Sequence, residues 1–406
     1  VPFNPFRDRS YERVRQTHTA QGRAVSLDAE APLFILYTSG TTGTPKGVVH
    51  TQAGYLLYAA MTFRYVFDYD DKDIFWCTAD VGWITGHSYA LYGPLSQGAT
   101  LFWYEGVPTY PNAARYWTLI DQYQVTVFYT APTVLRQLKA QGDAPLKSST
   151  RKSLRLLGSV GEPINPEVWT WYHDVVGNRH CPVVDTWWQT ETGGILLAPL
   201  VHVVTPKVAC VGVPFFGIQP GLVDENGALQ PAGQASGNLV VCQAWPGIAR
   251  SLYGNHARWL DTYFAPVPGC YSTGDGAERS KDGEYLVTGR TDDVLNPSGH
   301  RIGACEFESA IMTCSSVAEV AVVAMPDTIT GEAACAFVCL KPTQKPSDAL
   351  KKEIESVVMQ QIGRFAKVAR IVWGEALPRT RSGKIMRRLL KAIASGQYDA
   401  LGDVST

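Results

Sequence analysis

The chain has 406 residues, 45% of them hydrophobic, enough to bury a sizeable core in more than one domain. Its 36 Lys and Arg nearly cancel 37 Asp and Glu to a formal charge of -1, so no global field recruits nucleic acid or an anionic membrane, and any anion site has to be local. The nine cysteines are odd in number, scattered and free of CxxC pairs, which speaks against a disulfide framework or a zinc cluster and for a reducing compartment.

No run approaches the roughly 20 consecutive apolar residues that cross a bilayer, and the N-terminal stretch lacks the apolar centre of a signal peptide. The expected location is the cytoplasm, with an organelle left open. The chain opens at Val1 instead of Met and runs through Arg7, Arg9, Arg13 and Arg15, so material upstream is expected to be missing.

In chain order, Leu33–Tyr37 is a short apolar run ending in a Ser, Thr and Gly-rich stretch from Thr38 to Gly47, the pattern of a buried strand followed by a tight loop. Val125–Tyr129, Leu154–Leu157 and Val183–Val184 repeat that pattern, with segments between them long enough for crossover helices. The alternation predicts a sheet with helices on its faces and ligands at strand ends. Leu239–Cys242 and Tyr285–Gly289 predict strands of a more β-rich part. Beyond Asp292 and Asp293, Val320–Ala324 and Ala336–Leu340 read as strands. A helix capped by Ser347 follows, with Leu350, Ile354, Val357 and Val358 on one face. The fold class is thus α/β, a large domain over 1–291 followed by a small α+β domain over 292–406.

The loop Thr38-Ser39-Gly40-Thr41-Thr42-Gly43-Thr44-Pro45-Lys46-Gly47 combines hydroxyls, glycines and a lysine that suit wrapping around phosphate oxygens. It is not a Walker A loop, which ends in Gly-Lys-Ser/Thr. Composition alone fits a plain surface loop equally well. With Tyr37 in front, the order of residues closely resembles the phosphate loop of adenylate-forming enzymes, the superfamily of acyl-CoA synthetases, peptide-synthetase adenylation domains and luciferase. Further segments follow in that superfamily's order: Gly161-Glu162-Pro163, Asp185 to Glu191, Tyr271 to Asp275, Gly289 to Asp293, and Pro378 to Ile385. Within the superfamily, Ala79 to His87 and Asp185 to Gly194 resemble the acetyl-CoA synthetases in particular. Those enzymes carry a large N-terminal subdomain, with basic residues that hold the coenzyme A nucleotide, and almost all of it is absent from this sequence.

The resemblance implies a mobile C-terminal domain, ATP, Mg²⁺ and coenzyme A as ligands, and acetate as the acid activated. Thr38, Ser39, Gly40, Thr41, Thr42, Gly43 and Lys46 would hold phosphates. Gly161, Glu162, Pro163, Asp185, Thr186, Trp187 and Trp188 would enclose adenine, with Gln189 and Thr190 reaching toward the α-phosphate. Asp275, a carboxylate on a Gly-Asp-Gly turn, can accept both ribose hydroxyls; the plainer reading is a turn aspartate. Arg290 and Arg301 would join as ATP ligands. Trp188 would floor an acyl pocket walled by Ile84, Thr85 and Val160, since a large indole shortens a pocket by filling it.

Glu191 would hold Mg²⁺, which usually takes one or two protein carboxylates beside phosphates. A second ion site is implied at the carbonyls of Met312 and Val317, although Cys314 stands where the family usually has His. Asp292 would be the hinge, and Thr85, Ser298 and Gly299 would meet coenzyme A. Lys384 would act with Thr190 and Glu191 in catalysis, from a loop before a helix carrying Ile385, Leu389 and Ile393 and ended by Gly396. By charge alone, that Arg- and Lys-rich segment reads as a solvated face or a weak nucleic-acid patch. In the family this lysine is also often acetylated as an off-switch, which implies an acetyltransferase and a deacetylase as partners. The remaining alternatives are a propionyl-CoA synthetase and a nucleotide-binding fragment without catalysis.

Overall fold

The computed structural model describes residues 3–18, 22–38, 45–295, 302–327, 330–379 and 385–398, with the side chain of Asp292 outside them. It is an α/β molecule built on one parallel sheet. The strand order is Thr100–Leu101, Ile74–Cys77, Val127–Thr130, Leu156–Val160, Val183–Thr186, and every neighbouring pair runs parallel. The three strands from Val127 onward are buried along their whole length. Strands covered on both faces read as continuous apolar runs, which is why this part of the chain shows no alternation.

The helices between these strands supply the cover. Arg115–Tyr123 turns Tyr116, Trp117, Leu119 and Ile120 inward, and Pro132–Lys139 starts on a proline, favoured in the first turn, and buries Leu135 and Leu138. Trp76, Trp117 and Phe128 fill the space between sheet and helices on one face, whereas Phe63, Phe67, Phe75 and Tyr129 do so on the other. Truncating an aromatic of this kind to Ala costs about 3–5 kcal/mol, so these rings fix the sheet against its helices.

The large part also holds three antiparallel sheets, the smallest pairing Leu197–Ala198 with Val213–Pro214. Pro32–Thr38 pairs with Lys46–Thr51, which also pairs with Ser251–Leu252. The strand expected at Leu33–Tyr37 therefore belongs to this small sheet and not to the parallel one. The largest of the three runs in the order Pro220–Val223, Ala235–Val241, Tyr271–Arg279, Tyr285–Arg290.

From Leu295 onward the buried side chains form separate clusters on a three-stranded sheet of Val317–Asp327, Gly331–Leu340 and Val368–Gly374. Ser347 caps the helix Asp348–Gln361 by accepting from the Leu350 N–H at 3.2 Å, and Leu350, Ile354 and Val358 are its buried face. The last helix is Arg387–Ala394, two residues later than Ile385 would have it. Ile385 instead forms an antiparallel bridge with Arg379, and the Met386 N–H donates to the Pro378 carbonyl at 2.9 Å. No helix among the described residues is long and apolar enough to cross a membrane.

Candidate active site

Parallel topology brings separated motifs to one edge. Val160 pairs with Thr186 at the carboxyl ends of adjacent strands, so Gly161-Glu162-Pro163 and Trp187-Trp188-Gln189 leave the sheet side by side, where ligands on such sheets sit. Thr78 and Thr130, at the ends of the next two strands, share a 2.6 Å hydrogen bond and place the Asp80–His87 segment along the same edge.

Asp275 projects from the Tyr271–Arg279 strand and is 6% exposed. Its Oδ2 accepts from Gln189 Nε2 at 2.7 Å and from Trp187 Nε1 at 3.2 Å, while Arg290, its cross-strand neighbour, lies 3.5 Å from Oδ1. Arg290 Nη1 also donates to the Thr273 carbonyl at 2.9 Å. The Gln189 amide is fixed at both ends, with Nε2 also on the Thr273 carbonyl at 2.8 Å and Oε1 accepting from the Tyr271 hydroxyl at 2.7 Å. A charge-assisted carboxylate held this way presents its remaining acceptor capacity in a set direction.

The short turn Thr190–Thr192 carries the second cluster. Gln189 N–H donates to Thr192 Oγ1 at 3.0 Å, and Gly193 closes the turn with φ 74°. A Cβ on Gly193 would stand 2.2 Å from the Gly247 carbonyl oxygen, so only glycine fits there. Glu191 is 8% exposed and accepts from the Tyr263 hydroxyl and, at 3.4 Å, from Lys46, whose ammonium also lies 2.6 Å from that hydroxyl. Burial by itself would raise the Glu191 carboxyl, but the charge of Lys46 and the Tyr263 hydroxyl together hold it below its usual range. The same burial, with Glu191 beside it, drives Tyr263 upward, so the phenol keeps its proton.

His50 supports that turn from behind. Burial pushes it down to about 4, so the ring is neutral, and Nε2–H donates to the Thr190 carbonyl at 2.8 Å. Neither His50 nor Tyr263 stands in a recognisable motif. His50 sits four residues past Lys46 on the same strand, the only local signal that could have found it.

Asp185 and Thr186 face inward from their strand. The Thr186 hydroxyl donates to the Ser159 carbonyl at 2.8 Å and accepts from Tyr129 at 2.7 Å, and burial pushes the Asp185 carboxyl up to about 8. The Glu162 carboxylate is held at the start of the Pro132–Lys139 helix: Arg136 donates to both of its oxygens at 2.9 Å, and the Thr133 N–H and hydroxyl add two more bonds. Gly161, just before it, takes φ 97°. Trp188 packs with Val160 in one cluster and meets the Tyr89 ring edge-on at 5.1 Å. Ile84 and Thr85 open the helical turn that leads into Tyr89; Ile84 is buried and Thr85 half-buried.

Thr38 ends its strand opposite Lys46, with which it pairs in register. Ser39, Gly40, Thr41, Thr42, Gly43, Ser298, Gly299, Arg301 and Lys384 lie outside the described residues. Asp292 falls in the short turn Thr291–Asp293 between the last strand of the large part and the C-terminal clusters. Met312 and Val317 end a helix and begin a strand on either side of a turn closed by Val317 N–H to Cys314 carbonyl at 3.0 Å. No group of three or more His, Cys, Asp and Glu side chains able to hold a metal occurs among the described residues; a single buried carboxylate such as Glu191 fits Mg²⁺ in the manner of an ion completed by phosphate and water oxygens.

Residues 3–253 match the model of the AMP-binding enzyme family, and residues 306–384 match that of the AMP-binding enzyme C-terminal domain. The chain is 55% identical to acetyl-coenzyme A synthetase 2 of Pseudomonas aeruginosa, covering 100% of this chain and 63% of that protein. It is 53% identical to acetyl-coenzyme A synthetase of Syntrophus aciditrophicus with the same coverage. Pseudomonas putida acetyl-coenzyme A synthetase 2 is 58% identical, covering 94% of this chain and 59% of that protein. The chain thus spans under two thirds of the length of these relatives. Among solved structures, the crystal structure of the anthranilate CoA ligase AuaEII in complex with anthranoyl-AMP superposes with a TM-score of 0.83 at 28% identity, over 95% of this chain and 71% of that one. With a family model spanning more than half of its length, the chain belongs to the AMP-binding enzyme family.

Proposed function

We propose that the protein carrying this sequence activates acetate with ATP to acetyl-AMP and transfers the acetyl group to coenzyme A, releasing AMP and pyrophosphate. The observation that carries this reading is the pair of preorganised carboxylates at one sheet edge, Asp275 braced by Gln189 and Trp187, and Glu191 braced by Lys46 and Tyr263. The identity to acetyl-coenzyme A synthetases supports the choice of acid.

Asp275 accepts the ribose hydroxyls, and Arg290 and Arg301 provide fixed positive charge beside the nucleotide. The backbone of Gly161, Glu162 and Pro163, with Trp187, borders the adenine. The Thr38–Lys46 loop embraces the β- and γ-phosphates, and Gln189 and Thr190 address the α-phosphate. Glu191 would hold Mg²⁺ once Lys46 turns to the phosphates, and the ion would supply charge neutralisation for the polyphosphate. Met312 and Val317 remain candidates for a second cation.

The acetate carboxylate attacks the α-phosphorus while Lys384 contacts both, which places its charge where the transition state becomes most negative. The domain of residues 292–406 then turns about Asp292 against the domain of residues 1–291. This withdraws Lys384 and brings Ser298 and Gly299, with Thr85, to the thiol that attacks the mixed anhydride. Trp188, Val160, Ile84 and Thr85 limit the acid to a short chain. Propionate remains a competitor, since one methylene in an apolar pocket changes binding by only about 1–3 kcal/mol. Acetylation of Lys384 by an acetyltransferase would remove the needed charge, and a deacetylase would restore it. The cytoplasm is the compartment this chemistry and the cysteine usage fit.

The test is pyrophosphate exchange into ATP by the full-length protein. Exchange should require acetate and vanish in Lys384→Ala, while that variant still makes acetyl-CoA from supplied acetyl-AMP. Exchange without any acid, or undiminished in Lys384→Ala, would overturn the assignment.

A further inference from the structure

Cys242 immediately follows the Ala235–Val241 strand, and Cys270 immediately precedes the Tyr271–Arg279 strand. Val241 and Tyr271 are partners in antiparallel register, so the two cysteines are the next directly opposed pair. Opposed residues of an antiparallel pair have Cα atoms about 4.5–5.5 Å apart, inside the range of about 4.4–6.8 Å that a disulfide spans. Both are free thiols, and their sulfurs lie 2.7 Å apart. The backbone around them is anchored: Cys242 N–H donates to the Gln219 carbonyl at 2.8 Å, and Cys270 N–H to the Val267 carbonyl at 3.1 Å. Cys242 is half-buried beside the exposed Gln243 and Ala244, which gives a small reagent a way in.

We propose that Cys242 and Cys270 form a redox-sensitive pair that closes to a disulfide in the folded protein when it meets a disulfide oxidant. The closed ring would hold the segment that carries Tyr263 against the strand that carries Tyr271 and Asp275. Tyr271, next to Cys270, stacks on Tyr263 at 5.3 Å and hydrogen-bonds Gln189, so the link lies one residue from the network that braces the site.

The reaction is exchange. One protein thiolate attacks a sulfur of a low-molecular-weight disulfide and expels one thiolate. The second cysteine then attacks the resulting mixed disulfide and expels the other. Two protein thiols become one disulfide, and the oxidant becomes two thiols that take up the two protons. Burial, together with the neighbouring sulfur, pushes the Cys242 thiol up to about 12. Exchange through Cys242 is therefore slow at neutral pH and speeds up as pH rises.

The test treats the full-length protein with excess oxidised glutathione, blocks remaining thiols by alkylation, and maps peptides without reduction. The expected result is a peptide joining Cys242 to Cys270, undone by dithiothreitol, with a rise of several degrees in unfolding temperature that Cys242→Ser lacks. Glutathione adducts on either cysteine without the joined peptide, or an equal rise in Cys242→Ser, would overturn the proposal. The peptide map needs no variant and reads out whether or not acetate is the substrate.

Discussion

The buried carboxylates differ in what surrounds them, and the difference sets their charge. Glu191 and Asp275 have cations or amide donors within reach, whereas burial dominates at Asp185 and pushes it up to about 8. An aspartate whose folded value lies above its unfolded value of 3.8 favours the folded state while protonated, and that contribution is lost as pH rises between 3.8 and about 8. Asp185→Asn, which cannot ionise, should therefore flatten the fall in unfolding temperature between pH 5 and pH 8. An unchanged slope would show that Asp185 is charged in the folded protein. Trp188 tests the acyl pocket at the same scale. Trp188→Gly removes the indole from its cluster with Val160 and Tyr89 and should move preference from acetate toward butyrate or valerate. Each newly buried methylene contributes about 0.8 kcal/mol, so two or three carbons shift the ratio of kcat/KM values by tenfold or more. A variant that still prefers acetate and gains nothing on butyrate would make Trp188 ordinary core.

At the scale of elements, the turn Thr190–Thr192 depends on Gly193, whose φ of 74° and 2.2 Å approach to the Gly247 carbonyl leave no room for a side chain. Gly193→Ala should lower stability by about 1–3 kcal/mol, from strain at this backbone conformation, and weaken nucleotide binding by displacing Gln189 and Glu191. Thermal unfolding and AMP titration would read the two effects, and an unaltered protein would contradict the geometry. The strands from Val127 to Thr186 were legible in the sequence through short apolar runs, although Leu156–Val160 begins two residues later than the run Leu154–Leu157 and includes Ser159, and Val183–Thr186 includes Asp185. The pairing of Pro32–Thr38 with Lys46–Thr51 was not, because an apolar run does not name its partner. Ser347 announced its helix through its capping hydroxyl, but Ile385 matched a helical spacing and is instead bridged to Arg379. The motif residues Asp275, Gln189 and Glu191 could be named in advance. Tyr263 and His50 reach them from distant sequence positions, through contacts that only the fold creates. The opposition of Cys242 and Cys270 is of the same kind, since it follows from strand register and not from spacing.

At the scale of the molecule, the large part and the C-terminal part each have their own buried clusters; in the proposed reaction the first would hold the nucleotide while the second serves the two steps in turn. The account rests on one chemical claim, that a carboxylate oxygen of acetate bonds to the α-phosphorus before the thiol arrives. Attack of the thiol on the acyl carbon then leaves that oxygen on AMP. The direct measurement is turnover of acetate labelled with a heavy oxygen isotope by the full-length protein, followed by mass analysis of the products. The account predicts AMP carrying one labelled oxygen and unlabelled pyrophosphate; unlabelled AMP, or label in pyrophosphate or phosphate, would contradict it.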